Sequence, residues 1–328
     1  MKKSLAFAAV GAIAAAALVL SGCTDSGGTA APSTESSEDG ELRSVRVAAL
    51  PITETAALWA AIDEGIFADH GLEVEVVPAQ GGAQAIPALL SGDIQFAIGQ
   101  PFGPFRADLQ DLGVVIIGNY APSFADGQDT SGVVASAASG ITRPADLSGK
   151  RVSVNSLGAA GDVTIMGAVA ADGGDPTTIE FVEVAFPDAA GQLDAGNIDA
   201  AWVPEPFMSG YVASGGTFVM HPFQETVPGL TTLTTITTDA LVESDPELVD
   251  DFAAAMTEAL EWANTNEPAL RQAIKDNLKL PDAVADSIKL PVYSFELKRS
   301  DLEELAALAV TYGVLPETPD FDRIIQQR

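Results

Sequence analysis

Two separate stretches of this chain carry nearly the same pattern, and that echo constrains the fold more than any other feature. Residues 90–102 read Leu-Ser-Gly-Asp-Ile-Gln-Phe-Ala-Ile-Gly-Gln-Pro-Phe, and residues 194–207 read Asp-Ala-Gly-Asn-Ile-Asp-Ala-Ala-Trp-Val-Pro-Glu-Pro-Phe. Gly92 matches Gly196, Ile94 matches Ile198 and Ala97 matches Ala201. In both, a helix stops at a glycine free to turn left-handed, a short apolar strand follows, and a loop leads into another helix. Each copy is preceded by its own strand, LEVEVV or IEFVEV, and a helix. So short a match also arises by coincidence among common residues. Taken as a repeat, it requires two similar αβ lobes, each with a loop at the carboxyl end of its strand, where open α/β sheets hold ligands. Two such lobes facing each other enclose a cleft.

The rest of the chain fits that scheme. Apolar runs at residues 45–50, 72–77, 94–98, 114–118 and 132–135 read as strands, with helices at 55–64, stopped by Gly65, and 83–90, ended by Gly92. A second run starts after Ile141-Thr142-Arg143-Pro144, with strands at 151–155, 179–184 and 198–203 and helices at 162–171, 189–195 and 206–213. Strands spaced by helices predict right-handed crossovers and mainly parallel sheets, an α/β fold. After Pro228 a Thr-rich extended segment, residues 231–238, gives way to helices. There Ser244-x-x-Glu247 forms a capping box ahead of a face of Leu248, Phe252, Met256 and Leu260, and amphipathic helices follow at 270–278 and 301–312.

The lopsided charge and the single cysteine bound the setting. With 47% hydrophobic residues in 328, the chain can bury a large two-lobed core and is not disordered. Its 46 acids against 16 bases would repel a polyanion, which excludes nucleic acid as a partner. Met1-Lys2-Lys3 precedes an apolar run over residues 5–20, shorter than the ~20 residues that span a bilayer, so the start reads as a secretory signal. Leu20-Ser21-Gly22-Cys23 resembles the lipobox of bacterial lipoproteins, which implies cleavage before Cys23 and lipidation of its sulfur; an ordinary signal peptide with a chance cysteine is the alternative. Residues 1–22 are then a signal peptide, and residues 23–43 a lipidated cysteine and flexible acidic linker. Exported with no second cysteine, the protein folds without a disulfide.

Four segments carry a family resemblance: Gly65-Ile66-Phe67 with Gly71-Leu72-Glu73-Val74, Leu90-Ser91-Gly92-Asp93-Ile94, Asp146-Leu147-Ser148-Gly149-Lys150-Arg151-Val152, and Asn197-Ile198-Asp199-Ala200. They resemble the nitrate/sulfonate/taurine and thiamine-pyrimidine (THI5-like) solute-binding proteins, the receptors of bacterial ABC importers. The resemblance implies a type II periplasmic-binding-protein fold: two α/β lobes, two hinge crossings and an interlobe ligand cleft. Placing the crossings near residues 136–140 and 220–227 puts residues 44–137 and 227–328 in lobe 1 and residues 138–226 in lobe 2. It also implies a monomer that binds a small molecule and meets ABC permease subunits served by a separate ATPase, with the lipid on Cys23 holding it to the cell membrane.

Catalytic patterns are lacking. There is no G-x-S-x-G, no P-loop and no EF-hand spacing, and Cys23 is committed to lipid. The Cys-rich motif of related enzymes that make the thiamine pyrimidine is missing. His70 reads as a solvated turn residue and His221, before Pro222, as structural, so neither a metal, a cofactor nor an enzyme is expected. Two readings from other classes remain: an extracytoplasmic enzyme on the same fold, and a ligand-sensing lipoprotein docking a signalling partner.

What is left is a recognition surface. In the first lobe the loops offer Thr53, Glu54, Thr55, Gln80, Gly81, Gln100, Phe102 and Tyr120; in the second, Asn155, Ser156, Gly158, Gly161, Trp202 and Glu205. Phe102 and Trp202 suit either ligand contact or core packing. Glycines at helix starts can present free N–H groups, so Gly81-Gly82 and residues 158–161 could hold an anion. The loops contain no Lys or Arg, Lys150 and Arg151 sit at the far end of their strand, and Arg106 lies a full turn into a helix. Glu54 and Glu205, one from each lobe, disfavour a bare anion unless both are solvated rim residues. The expected ligand is a small nitrogen-bearing molecule, neutral, zwitterionic or cationic: a heteroaromatic precursor or an amino-sulfonate-like compound.

Overall fold

The computed structural model describes residues 42–79 and 81–328; the signal, Cys23 and most of the expected linker, together with Gln80, lie outside the described residues. These form ten strands: β1 (Arg43–Ala49), β2 (Leu72–Pro78), β3 (Phe96–Gly99), β4 (Val114–Pro122), β5 (Ser131–Ala135), β6 (Arg151–Val154), β7 (Glu180–Glu183), β8 (Ala200–Pro204), β9 (Thr217–Met220) and β10 (Thr231–Thr238). They build two five-stranded sheets, ordered β2-β1-β3-β10-β4 and β7-β6-β8-β5-β9.

The two sheets repeat one plan. β1 runs parallel to β2 and β3, as β6 does to β7 and β8. The fourth strand of each sheet is antiparallel, and in each it is the strand that arrives from the other lobe: β10 in the first sheet, β5 in the second. The sequence echo falls on equivalent places. Gly92 and Gly196 both take left-handed backbone, with φ of 77° and 70°. Ala97 of β3 faces Ala48 of β1 in register, and Ala201 of β8 faces Ser153 of β6. A helix that must end and reverse within two residues needs that left-handed position, which costs glycine nothing.

Four expectations need correction. The sequence pattern puts residues 131–135 in lobe 1, but β5 pairs with β8 and β9, so the first crossing lies between Pro122 and Ser131. Nor is the C-terminal segment confined to the first lobe: the helix Arg299–Thr311 packs against the helix Ala160–Ala171 of the second. The chain then returns, and Arg323 pairs with the buried Asp108 of the first lobe at 2.5 Å. Third, the cap of the helix Pro246–Ala263 is Asp245, whose carboxylate accepts from Leu248 N–H at 3.0 Å, while the Ser244 hydroxyl turns back to the Ala240 carbonyl. A carboxylate at the N-cap gains from the helix dipole as well as from the hydrogen bond. The predicted apolar face is nonetheless the buried one: Leu248, Phe252, Met256 and Leu260 are in the core, with Phe252 stacked on Phe96 of β3 at 3.7 Å. Last, Arg43, which the sequence pattern places at the end of the linker, is the first residue of β1.

Candidate functional site

Between the lobes lies a cavity of about 50 Å³. The first lobe lines it with Leu50, Ile52, Glu54, Gly81, Gln100, Phe102, Gly103 and Arg106. The second supplies Thr130, Ser131, Asn155, Ser156, Ala159, Phe186, Trp202, Pro204 and Phe223, and Thr232 and Leu233 come from β10. Leu50 follows β1, Gln100 follows β3, Asn155 follows β6 and Pro204 ends β8, so the cavity sits at the carboxyl ends of the parallel strands of both sheets. Its volume is far below the ~300 Å³ of ordinary ligand sites, and a second pocket of about 470 Å³ shares Leu50, Ile52, Asn155 and Phe186 with it.

The lobes are held together by hydrogen bonds that only a closed arrangement can make. The Arg106 guanidinium donates to the Gly158 carbonyl. The Ala160 N–H donates to Gln100 Oε1 at 3.2 Å, and the Thr53 N–H reaches the Glu205 carbonyl at 3.4 Å. At the crossings, His221 Nδ1 lies 2.6 Å from the Ser131 carbonyl while Nε2 accepts from the Asp129 N–H at 3.3 Å. Those two contacts tie the ring of His221 to both ends of the segment Asp129–Ser131. His70 instead meets Glu258 at 2.9 Å.

Seven of the expected contacts line the cavity: Glu54, Gly81, Gln100, Phe102, Asn155, Ser156 and Trp202. Trp202 stands edge-on between Phe186 and Phe223, with centroids 5.5 and 5.6 Å away, and its Nε1–H is buried without a partner. Gln80 lies outside the described residues.

Six others serve elsewhere. The Tyr120 hydroxyl is fully buried and accepts from the Leu58 N–H at 3.0 Å. Thr53 is buried off the cavity, and the Thr55 hydroxyl donates to the Leu50 and Ile52 carbonyls, closing the turn that carries Glu54. Gly158 and Ala159 donate their N–H groups to Asp162 at 2.5 and 2.6 Å, and Ala160 donates to Gln100, so three N–H groups of residues 158–161 are already engaged. Gly161 makes room for Trp202: a Cβ there would sit 3.0 Å from its ring. Glu205 curls back onto the start of the helix Phe207–Ala213, accepting from Ser209 N–H at 3.2 Å and Ser209 Oγ at 2.5 Å. It is wholly buried, so it is not a solvated rim residue.

The sequence alone places no cation in the cleft loops, yet Arg106 lines the cavity. It stands four residues after Phe102 on one helix, and that spacing puts both on the same face. Thr130, Ser131 and Phe186 also escape the sequence reading, the first two because the pattern puts their strand in the wrong lobe.

Burial governs the carboxyls here. Glu54 is pushed from its ordinary 4.5 up to about 8, chiefly by desolvation and further by Asp129 and Glu205, with the Thr130 hydroxyl opposing. Burial likewise raises Glu205 against its Ser209 bonds, and Asp162 against its backbone bonds and Arg106. Among the described residues, no group of three or more His, Cys, Asp or Glu could hold a metal ion.

Two sheets of this order, joined through crossing strands around a shared cavity, define a periplasmic-binding-protein fold. The chain belongs to the NMT1/THI5-like family, whose pattern matches residues 52–269. No curated protein sequence matches it significantly. Among solved structures it resembles the alkanesulfonate-binding protein SsuA of Xanthomonas axonopodis pv. citri bound to MOPS, with 16% identity, 88% of this chain and 99% of that one covered, and a TM-score of 0.75. It also resembles the nitrate-binding protein NrtA of Synechocystis PCC 6803, with 16% identity, coverages of 86% and 84%, and a TM-score of 0.70. A third similar structure is a DszB mutant in complex with biphenyl-2-sulfinic acid, with 18% identity, coverages of 87% and 97%, and a TM-score of 0.62. At such identities the likeness is one of fold.

Proposed function

We propose that the chain is an extracytoplasmic solute-binding protein, anchored to the membrane through lipidated Cys23, that captures a small nitrogen-bearing organic molecule and delivers it as a monomer to the permease of an ABC importer. The observation that carries this reading is the cavity lined from both lobes and bridged by Arg106–Gly158 and Gln100–Ala160. Such a site stores its ligand by closing on it, and closure presents a distinct surface to a partner. The family and the sulfonate- and nitrate-binding neighbours support the importer setting. Against a bare anion stand the occupied N–H groups of Gly158, Ala159 and Ala160, and Arg106 is turned to the Gly158 carbonyl.

Mass spectrometry of the solute that co-purifies with the protein, followed by calorimetry with that solute, tests the reading. Saturation at ~100 times its dissociation constant should add about 2.7 kcal/mol of stability. The solute should be recovered unchanged; steady consumption by the pure protein would favour an enzyme instead.

A further inference from the structure

Glu54 sits on the turn Thr53–Thr55 between β1 and the helix Ala56–Glu64, and it lines the cavity. Its side chain is almost wholly buried, at 6% exposure, and its Oε2 has no hydrogen-bond partner. Thr130 of the second lobe lines the cavity with it and favours its ionised form, but burial outweighs that effect. The titratable groups that face it are the carboxyls of Asp129 and Glu205 and the phenols of Tyr120 and Tyr293, and none of these is a cation. Arg106, the cavity's cation, is turned to Gly158 and Asp162, while His221 and Lys289 act on Asp129. An ionised Glu54 is therefore a buried charge without a counterion, and burial keeps its proton in place at neutral pH. Trp202 Nε1–H and Ser131 Oγ, on the same lining, are likewise buried and unpartnered. The site thus leaves one acceptor, one donor and one hydroxyl unsatisfied beside the flat faces of Phe102 and Phe186.

We propose that Glu54 is the charge-selecting contact of the site: a protonated nitrogen of the ligand docks on Glu54 Oε2 and displaces the carboxyl proton to solvent, so that cationic or zwitterionic solutes are bound in exchange for a proton. This rests on the solute-binding reading and adds to it the ligand's charge and the proton's fate. The exchange balances: a neutral carboxyl and a cation give an ion pair and one free proton. Trp202 Nε1–H donates to an acceptor elsewhere on the ligand, which removes a second unmet group.

The test uses probes of matched shape and different charge: benzamidine with benzamide and benzoate, acetamidine with acetamide, and taurine with ethanesulfonate and nitrate. Calorimetry at pH 6.5 in buffers of different ionisation enthalpy reads affinity and protons released together. The cations or taurine should bind better than their uncharged or purely anionic counterparts, releasing about one proton each, and release should vanish well above pH 8. Glu54→Gln, isosteric but unable to ionise, should weaken them by roughly thirtyfold or more and abolish the release. A melting curve of Glu54→Gln confirms that it is folded. Equal binding of benzamide, preference for benzoate or nitrate, or indifference to Glu54→Gln would overturn the assignment. So would ethanesulfonate binding with every cation and taurine silent, and that outcome leaves the solute-binding reading standing. Silence of the whole panel, with no solute co-purifying, would remove both.

Discussion

Gln100 and Ala160 belong to different lobes, and the side-chain carbonyl of one accepts the backbone N–H of the other at 3.2 Å. The acceptor follows β3 and the donor opens the helix after β6, so each comes from the loop at the carboxyl end of a parallel strand. The first free N–H of that helix is thereby capped from across the cleft rather than by its own preceding residue.

Gln100→Ala should therefore favour the open form while leaving both lobes folded. Loss of one such bond is worth about 1 kcal/mol, roughly a fivefold shift toward open. Small-angle scattering of the ligand-free protein should show a larger radius of gyration, and the ligand should dissociate faster. An unchanged radius and off-rate would mean that the bond contributes nothing to closure.

Stability should fall as pH rises from about 4.5 to about 8. Glu54 holds its proton more tightly when folded than when unfolded, so its contribution is complete below the unfolded value and lost as pH climbs through the folded one. A shift from 4.5 to about 8 sets an upper bound of about 5 kcal/mol, reduced by any opening that admits water. Urea midpoints across that window should decline in the wild type and flatten in Glu54→Gln. A flat wild-type profile would place Glu54 in water.

Gly161→Ala should disturb the tryptophan wall. The new Cβ would lie 3.0 Å from Trp202 Cε3 and 3.2 Å from Val154 Cγ1, and Phe186 and Phe223 hold the ring on either side. Overpacking of this kind costs about 1–3 kcal/mol, more than alanine recovers in helix propensity. A lower melting temperature and altered Trp202 emission are expected; a stabilised variant would show that the ring can yield.

Cys23→Ala should release the protein from membranes, since removing the acylated sulfur removes the anchor. Cell fractionation followed by immunoblotting reads this directly. Retention with unchanged gel mobility would defeat the lipoprotein assignment.

Local features are the legible ones. The helix stops at Gly65, Gly92 and Gly196, the apolar face from Leu248 to Leu260 and the αβ alternation all follow from neighbours in sequence. The misses share one cause. Tyr120 looks like a loop residue because the apolar run ends near Gly118, yet β4 continues to Pro122, carried by its pairing with β10. β5 reads as a plausible further strand of the first lobe until its partners β8 and β9 are known. Pairing between distant segments leaves little trace in either segment alone. Arg106 and Glu205 are different: Arg106 is brought beside Phe102 by helical geometry, and Glu205, in the turn just ahead of the helix Phe207–Ala213, reaches the N–H of Ser209 in its first turn, both local relationships.

The exchange of antiparallel strands between the sheets also imposes an order of events on the nascent chain. β3 completes its pairing only with β10, and the Thr234 hydroxyl meets the Gly99 carbonyl across 135 residues of sequence. Until β10 emerges, β3 has only β1 as a partner and β4 has none in the first sheet. The second sheet, by contrast, runs from β5 to β9 without interruption. Closing so long a loop carries an entropic cost that short-range pairing avoids, so the second lobe can assemble first and the first lobe waits on the C-terminal third.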